Sequence, residues 1–220
     1  MGNSSLVTYV KLSPHTRGRR VHRIERITPH CVVGQCSIEA LGAEFSGNKV
    51  KSSNYGIDKD GRIGMFVPED MLAITSSSSM NDDRAITIEC ASDTSHPYMI
   101  KDLVYTKLVD LCVDICKRNG KTKLIWISDK KEALMKDLKD DEMLLTVHRW
   151  FAATACPGDW LMLRMNDLAD AVTMRLSAIP WYAEAMAWVK ARGIMNDGRP
   201  NDNVTRAELA TILYRIYGSD

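Results

Sequence analysis

The chain has 220 residues, enough for one ordinary domain of roughly 100–150 residues and a remainder. Its 29 Lys and Arg against 28 Asp and Glu leave a formal charge of +1, so no global field draws it to nucleic acid or to an anionic membrane. Hydrophobic residues at 45% with charged residues at 26% argue against long disorder, and no run approaches the ~20 consecutive apolar residues of a spanning helix.

At the amino end, Met1 to Leu6 lacks the basic-then-apolar order of a secretory leader, and Leu6 stands where a myristoylation site needs Ser or Thr. The expectation is a protein made in the cytoplasm with reduced thiols, its six cysteines being too sparse for a disulfide scaffold. Ile24–Val33 reads as a strand entering the core, and Tyr55–Ile63 as a hairpin turning at Asp60-Gly61. Ser76–Ser79 reads as a flexible polar loop. Arg84–Ala91 alternates, with Ile86, Ile88 and Cys90 on one face and Thr87 and Glu89 on the other. Ile100, Leu103, Val104, Leu108, Leu111, Cys112 and Ile115 fall at helical spacing, and Asn119-Gly120 supplies a stop. Lys123–Ile127 and Leu144–Val147 read as further strands, the charged run Ser128–Glu142 as a loop or short helix, and Asp159–Leu176 as a helix. Strands interleaved with helices point to an α/β layer domain. Near Ile179-Pro180 the composition shifts to a neutral, aromatic tail, which sets the expected domains at 1–177 and 178–220.

Two of the five histidines sit in contexts that ask for more than packing. His30 ends the first strand in ITPHC, and His148 in TVHRW is separated by seven residues from Cys156-Pro157-Gly158. Imidazole and thiolate are preferred zinc ligands, and three protein ligands with one open position is a catalytic arrangement. Such a pairing also arises by chance, so ligand chemistry alone leaves metal binding and packing both open. His15 and His22 lie in a basic, solvated stretch, His96 before Pro97 reads as a loop residue, and Cys112 and Cys116 belong to a helix core. Apart from Cys156, the cysteines read as ordinary buried thiols. Glu89 in an otherwise apolar strand is either a half-exposed strand residue or a base of raised pKa beside an activated water.

Four ordered motifs, ITPHC ending at Cys31, SNYGIDKDG from Ser53 to Gly61, NDDRAITIE from Asn81 to Glu89, and His148-Arg-Trp with Cys156-Pro-Gly158, resemble the zinc N-acetylmuramoyl-L-alanine amidases of the amidase-2 and peptidoglycan-recognition-protein family, closest to endolysins. The resemblance covers roughly residues 4–177. It implies a central mixed β-sheet flanked by helices, zinc held by His30, His148 and Cys156, Glu89 as catalytic glutamate, and Thr154 as a helper at the transition state. The implied reaction is hydrolysis of the amide joining the lactyl group of N-acetylmuramic acid to L-alanine of the peptidoglycan stem. Where many members carry a tyrosine, this chain has Ser53, so the glutamate-type site is the better match.

In the tail, Trp181 to Lys190, Gly193-Ile194, Asp197-Gly198 and Val204 to Glu208 resemble a single S-layer homology repeat. Trp181, Tyr182, Ala185 and Trp188 share one helical face; Leu209, Ile212, Leu213 and Ile216 share a second after a Thr205 cap, giving a small helix–loop–helix. Such repeats bind secondary cell-wall polymer, so the resemblance implies wall anchoring, with Arg206 the first residue to test. A unit of about 40 residues seldom folds alone, and homo-oligomerisation through 178–220 is a further expectation. The implied setting is cytoplasmic synthesis followed by action on the cell wall after release, with no nucleic-acid or membrane partner. Two other readings compete: a non-catalytic peptidoglycan-binding module, and a cysteine peptidase using Cys156 and His148. Against the first stand Cys156 and Glu89, and against the second stands the turn at Cys156-Pro157-Gly158, where a nucleophile would ordinarily begin a helix.

Overall fold

A computed structural model describes residues 2–178, 182–195 and 202–218. The chain divides into two compact units, Met1–Ser177 and Ala178–Asp220. The Ile179-Pro180 shift, Trp181, Asp197-Gly198 and Pro200 lie outside the described residues.

The first unit is a seven-stranded mixed sheet, the α/β architecture expected. Its strands are β1 (Tyr9–Val10), β2 (Arg26–Cys31), β3 (Tyr55–Ile57), β4 (Ile63–Met65), β5 (Ala85–Cys90), β6 (Lys123–Ile125) and β7 (Glu142–Leu145), in the order β1-β4-β3-β5-β2-β7-β6. Only the β3–β4 hairpin is antiparallel. At the centre the register sets His30 opposite Glu89, and Glu89 opposite Gly56.

Strand alternation then divides the chemistry between two faces. Ile27, Tyr55, Ile57, Ile86, Ile88, Met143 and Leu145 join one apolar cluster with the inward residues of α3 (Asp102–Arg118) and α6 (Met165–Ser177). The opposite face carries Thr28 and His30, Thr87 and Glu89, and Thr146 leading to His148. Beside these, α1 (Ile38–Phe45) packs Ile38, Leu41 and Phe45 on Phe66. It can approach because Gly56 and Gly64 are paired under it: a Cβ at Gly56 would lie 2.4 Å from the Leu41 side chain, and one at Gly64 2.6 Å from Ile38.

Some local expectations are revised, and others, the short helix in the charged run and the exposed His22 among them, hold with detail added. The helix expected over Asp159–Leu176 is two, α5 (Asp159–Met162) and α6, broken at Leu163–Arg164. The charged run holds the short α4 (Lys130–Met135), started by the Asp129 side chain accepting from the Glu132 N–H. Ser76–Ser79 is not a free loop: Ser79 opens α2 (Ser79–Asp82), and the N–H groups of Thr75 and Ser76 both donate to the Asp82 carboxylate. His15 is half-buried and bonded to the Gly47 carbonyl, and the exposed His22 reaches Asp83.

The second unit contains α7 (Ala183–Ala191) and α8 (Arg206–Tyr217). Thr205 and Glu208 form a complete capping box at the start of α8. Trp188, Leu209, Leu213 and Ile216 are exposed, while Ile194 is buried and its carbonyl accepts from Arg215. Among the described residues no helix is long and apolar enough to cross a membrane.

Candidate active site

His30, Glu89, His148, Thr154 and Cys156 all line one cleft of about 750 Å³. It opens at the carboxyl ends of β2 and β5 and just beyond β7, where open α/β sheets ordinarily bind ligands. His30 and Glu89 are neighbours across the β2–β5 ladder, so their side chains emerge side by side from one sheet face. His148 begins a 3₁₀ turn, His148–Trp150, after the two residues Thr146 and Val147 that follow β7.

Cys156 arrives on the turn that follows, and this turn is fastened at several points. Arg149 donates from its backbone and Nε to the Cys156 carbonyl, and from Nη2 to the Ala155 carbonyl. Gly158 takes φ +86°, and a Cβ there would lie 2.8 Å from Cβ of Tyr98, so glycine lets the turn close against the Pro97–Tyr98 segment. Cys156 Sγ thereby comes to 3.2 Å from His30 Nδ1.

One ligand atom from each of His30, His148 and Cys156 lies within 4.8 Å of the other two. Two imidazoles and a thiol are a donor set suited to Zn²⁺, and three protein ligands leave a position open. The buried Nε2 of His30 has no hydrogen-bond partner of the chain's own, which marks a polar group waiting on something beyond the protein.

A model of the N-acetylmuramoyl-L-alanine amidase family matches residues 20–159, a span that contains the whole cluster. The chain belongs to this amidase family. A second model, of the S-layer homology domain, matches residues 176–210. Among solved structures, AmpD in its selenomethionine form is 17% identical with a TM-score of 0.56, over 76% of this chain and 97% of that one. PlyL is 14% identical with a TM-score of 0.52, over 74% and 95%, and a mutant endolysin from Bacillus subtilis is 12% identical with a TM-score of 0.52, over 74% and 97%. These likenesses bear on the fold of the amidase unit. No curated protein matches the sequence.

The electrostatics of the amidase cleft follow from burial. Desolvation, helped by nearby His148, holds the His30 imidazole down to about 3, so it stays neutral and keeps a lone pair for a metal. Burial lowers His148 as well. Cys156 is pushed up by a hydrogen bond with Cys31 and then by burial, so a proton must leave this thiol when a cation is taken up. Burial also pushes Glu89 up to about 8, with Cys31 adding to the rise and Lys51 opposing it. That is the range of a tuned acid–base group. Thr154 accepts from the Cys156 N–H at 3.2 Å, which leaves its hydroxyl proton free to be donated into the cleft.

Some cleft residues escaped the sequence reading. Lys51 lines the wall and pairs with Glu44 at 2.6 Å. Tyr98 also lines it, so a tyrosine does reach the cleft, from a loop far from the position of Ser53. Ser53 itself is buried and donates to the backbone of Tyr55 and Thr87. Cys31 and the half-buried Cys36 line the cleft too, and so are not simply core thiols.

Proposed function

We propose that the chain is a zinc-dependent peptidoglycan hydrolase that cleaves the amide between the lactyl group of N-acetylmuramic acid and L-alanine of the stem peptide, as an endolysin or autolysin does in lysing a wall. The observation that carries this reading is the convergence of His30, His148 and Cys156 within 4.8 Å in the cleft that also holds Glu89. His30, His148 and Cys156 would hold the metal. When bound, zinc supplies a Lewis acid for the amide carbonyl and makes a water more acidic.

The chain's own residues do the rest. Glu89, its proton affinity raised by burial, takes a proton from the attacking water as the oxygen bonds to the carbonyl carbon, then returns it to the amine nitrogen as the C–N bond breaks. The products are a free lactyl carboxylate and a free L-alanine amino group. Thr154 donates its hydroxyl to the carbonyl oxygen as negative charge builds there.

Residues 1–177 are then the catalytic unit, and 178–220 a unit for secondary cell-wall polymer or for self-association. The deciding experiment is mass spectrometry of peptidoglycan digested by the full-length protein. New L-alanine amino termini and intact glycan strands are expected, with activity lost in chelator and regained with Zn²⁺. Cleavage at another bond, or activity indifferent to chelator and blocked only by thiol alkylation, would overturn the assignment. Walls stripped of secondary polymer should retain less of the protein if residues 178–220 anchor it.

A further inference from the structure

Ser77 adopts φ +63°, a left-handed backbone that costs a serine free energy and costs glycine none. It is exposed, so its hydroxyl needs no protein partner, yet that hydroxyl lies 3.2 Å from Nε2 of His148. The neighbouring serines do different work. Ser76 donates to the Ser78 carbonyl and accepts from the Asn81 amide, while Ser78 accepts from the Asn81 N–H. Their hydroxyls are spent inside the loop, and that of Ser77 is turned to the imidazole.

The loop is also anchored to the segments that carry the proposed ligands. Thr28 and Thr146, each two residues before His30 and His148, share a hydrogen bond of 2.7 Å. Asn81 joins them, donating to Thr28 at 3.0 Å and accepting from Thr146 at 3.1 Å, and its amide also reaches Ser76. One buried polar cluster therefore fixes β2, the end of β7 and the Ser76–Ser78 loop relative to each other.

We propose that Ser77 is a positioning residue for His148: its oxygen accepts the Nε2–H and so selects the tautomer whose Nδ1 lone pair is open to a metal. The inference rests on the zinc reading above. A backbone role alone would be served better by glycine at this φ, so the hydroxyl is what serine contributes.

The test compares the full-length wild type with Ser77→Gly and Ser77→Asn by three measurements: zinc affinity in competition with a chromophoric chelator, imidazole ¹⁵N shifts of the metal-free protein, and melting temperature. Ser77→Gly should melt at or above wild type, bind zinc about 10–100-fold more weakly, and show His148 as a mixture of tautomers. Asparagine tolerates positive φ and offers a carbonyl acceptor, so Ser77→Asn should restore both affinity and the Nε2–H tautomer. Wild-type affinity and an unchanged tautomer in Ser77→Gly would overturn the proposal while leaving the zinc reading intact. A wild type that takes up no zinc would overturn both, unlike the first outcome, in which wild type and variant bind alike.

Discussion

The two faces of the central sheet are built from the same strands to opposite ends. On the α3 and α6 side, Ile27, Ile57, Ile86, Ile88 and Leu108 are fully buried and belong to one apolar cluster. On the other side, Thr28, His30, Thr87, Glu89 and Thr146 replace them at alternate positions, and each threonine finds a hydrogen-bond partner. At His30 and Glu89 that satisfaction stops: the His30 ring keeps an orphaned nitrogen, and Glu89 faces a cleft against the cost of desolvation. One face is held by apolar packing, and the other, tied through its threonines, ends at the cleft in two polar groups, His30 and Glu89, that are costly to bury.

The sharpest way to break this contrast is to remove a proposed metal ligand. Cys156→Ser keeps the turn, which Arg149 fastens through backbone carbonyls, and His30→Ala removes a ring from β2. Both should abolish zinc uptake and turnover, read by metal analysis and by release of L-alanine amino termini. Full activity in either would place the chemistry elsewhere. Next in size is Glu89→Ala, which should retain zinc and fold at least as stably, yet lose activity by about 10²–10⁴-fold. A zinc-loaded, fully lytic Glu89→Ala protein would remove Glu89 from the role of base.

How far these residues could be read from the sequence depends on what fixes their position. Glu89 was legible because strand alternation is local: two residues along β5 return to the same face, and Ile86, Ile88 and Cys90 share the face opposite to it. His30 was marked by its place at a strand end and by the resemblance of ITPHC to the family motif. Strand pairing then made them neighbours. Lys51 and Tyr98, which line the cleft, and Ser77, which reaches His148, were not legible, because each stands in a loop whose path is set by partners elsewhere in the chain. The Ser76–Ser79 run looks like free loop by composition, but the carboxylate that pins it, Asp82, is itself buried within α2, and the asparagine that ties it to the sheet reaches Thr28. α1 passed unseen because its eight residues are too few for a strong period, and because its docking depends on Gly56 and Gly64 becoming cross-strand partners. The break between α5 and α6 left the apolar spacing intact, since Leu161, Met165 and Leu168 remain buried on both sides of it.

A perturbation of the apolar face sharpens the contrast from the other direction. Leu108 lies fully buried in α3 among the core cluster. Leu108→Ala should cost about 2–5 kcal/mol of stability through lost burial and a residual cavity, read as an earlier denaturant midpoint, while activity per folded molecule and zinc affinity stay at wild-type level. An equal loss of zinc affinity would mean that the core sets the ligand geometry, and that the two faces are not separable in function.

The last effect is a pH-dependent one, and it probes why Glu89 is unlike any residue of the apolar face. An unfolded glutamate titrates at about 4.3, whereas burial, with Cys31 adding and Lys51 opposing, lifts folded Glu89 to about 8. The folded chain therefore holds this proton more tightly than the unfolded one. Stability is unpenalised below the unfolded value, falls as pH rises between the two values, and levels off once both states are ionised. Glu89→Gln removes that penalty without emptying the site. In metal-free protein the melting temperature of Glu89→Gln relative to wild type should be flat below about pH 4.3, climb through neutrality and reach a plateau above about pH 8. The other ionisable groups of the cleft are common to both proteins, so their contributions cancel in the difference to first order. A difference that does not change with pH would mean Glu89 is solvated like a surface carboxylate, and the polar face would then be no costlier to fold than the outside of the molecule.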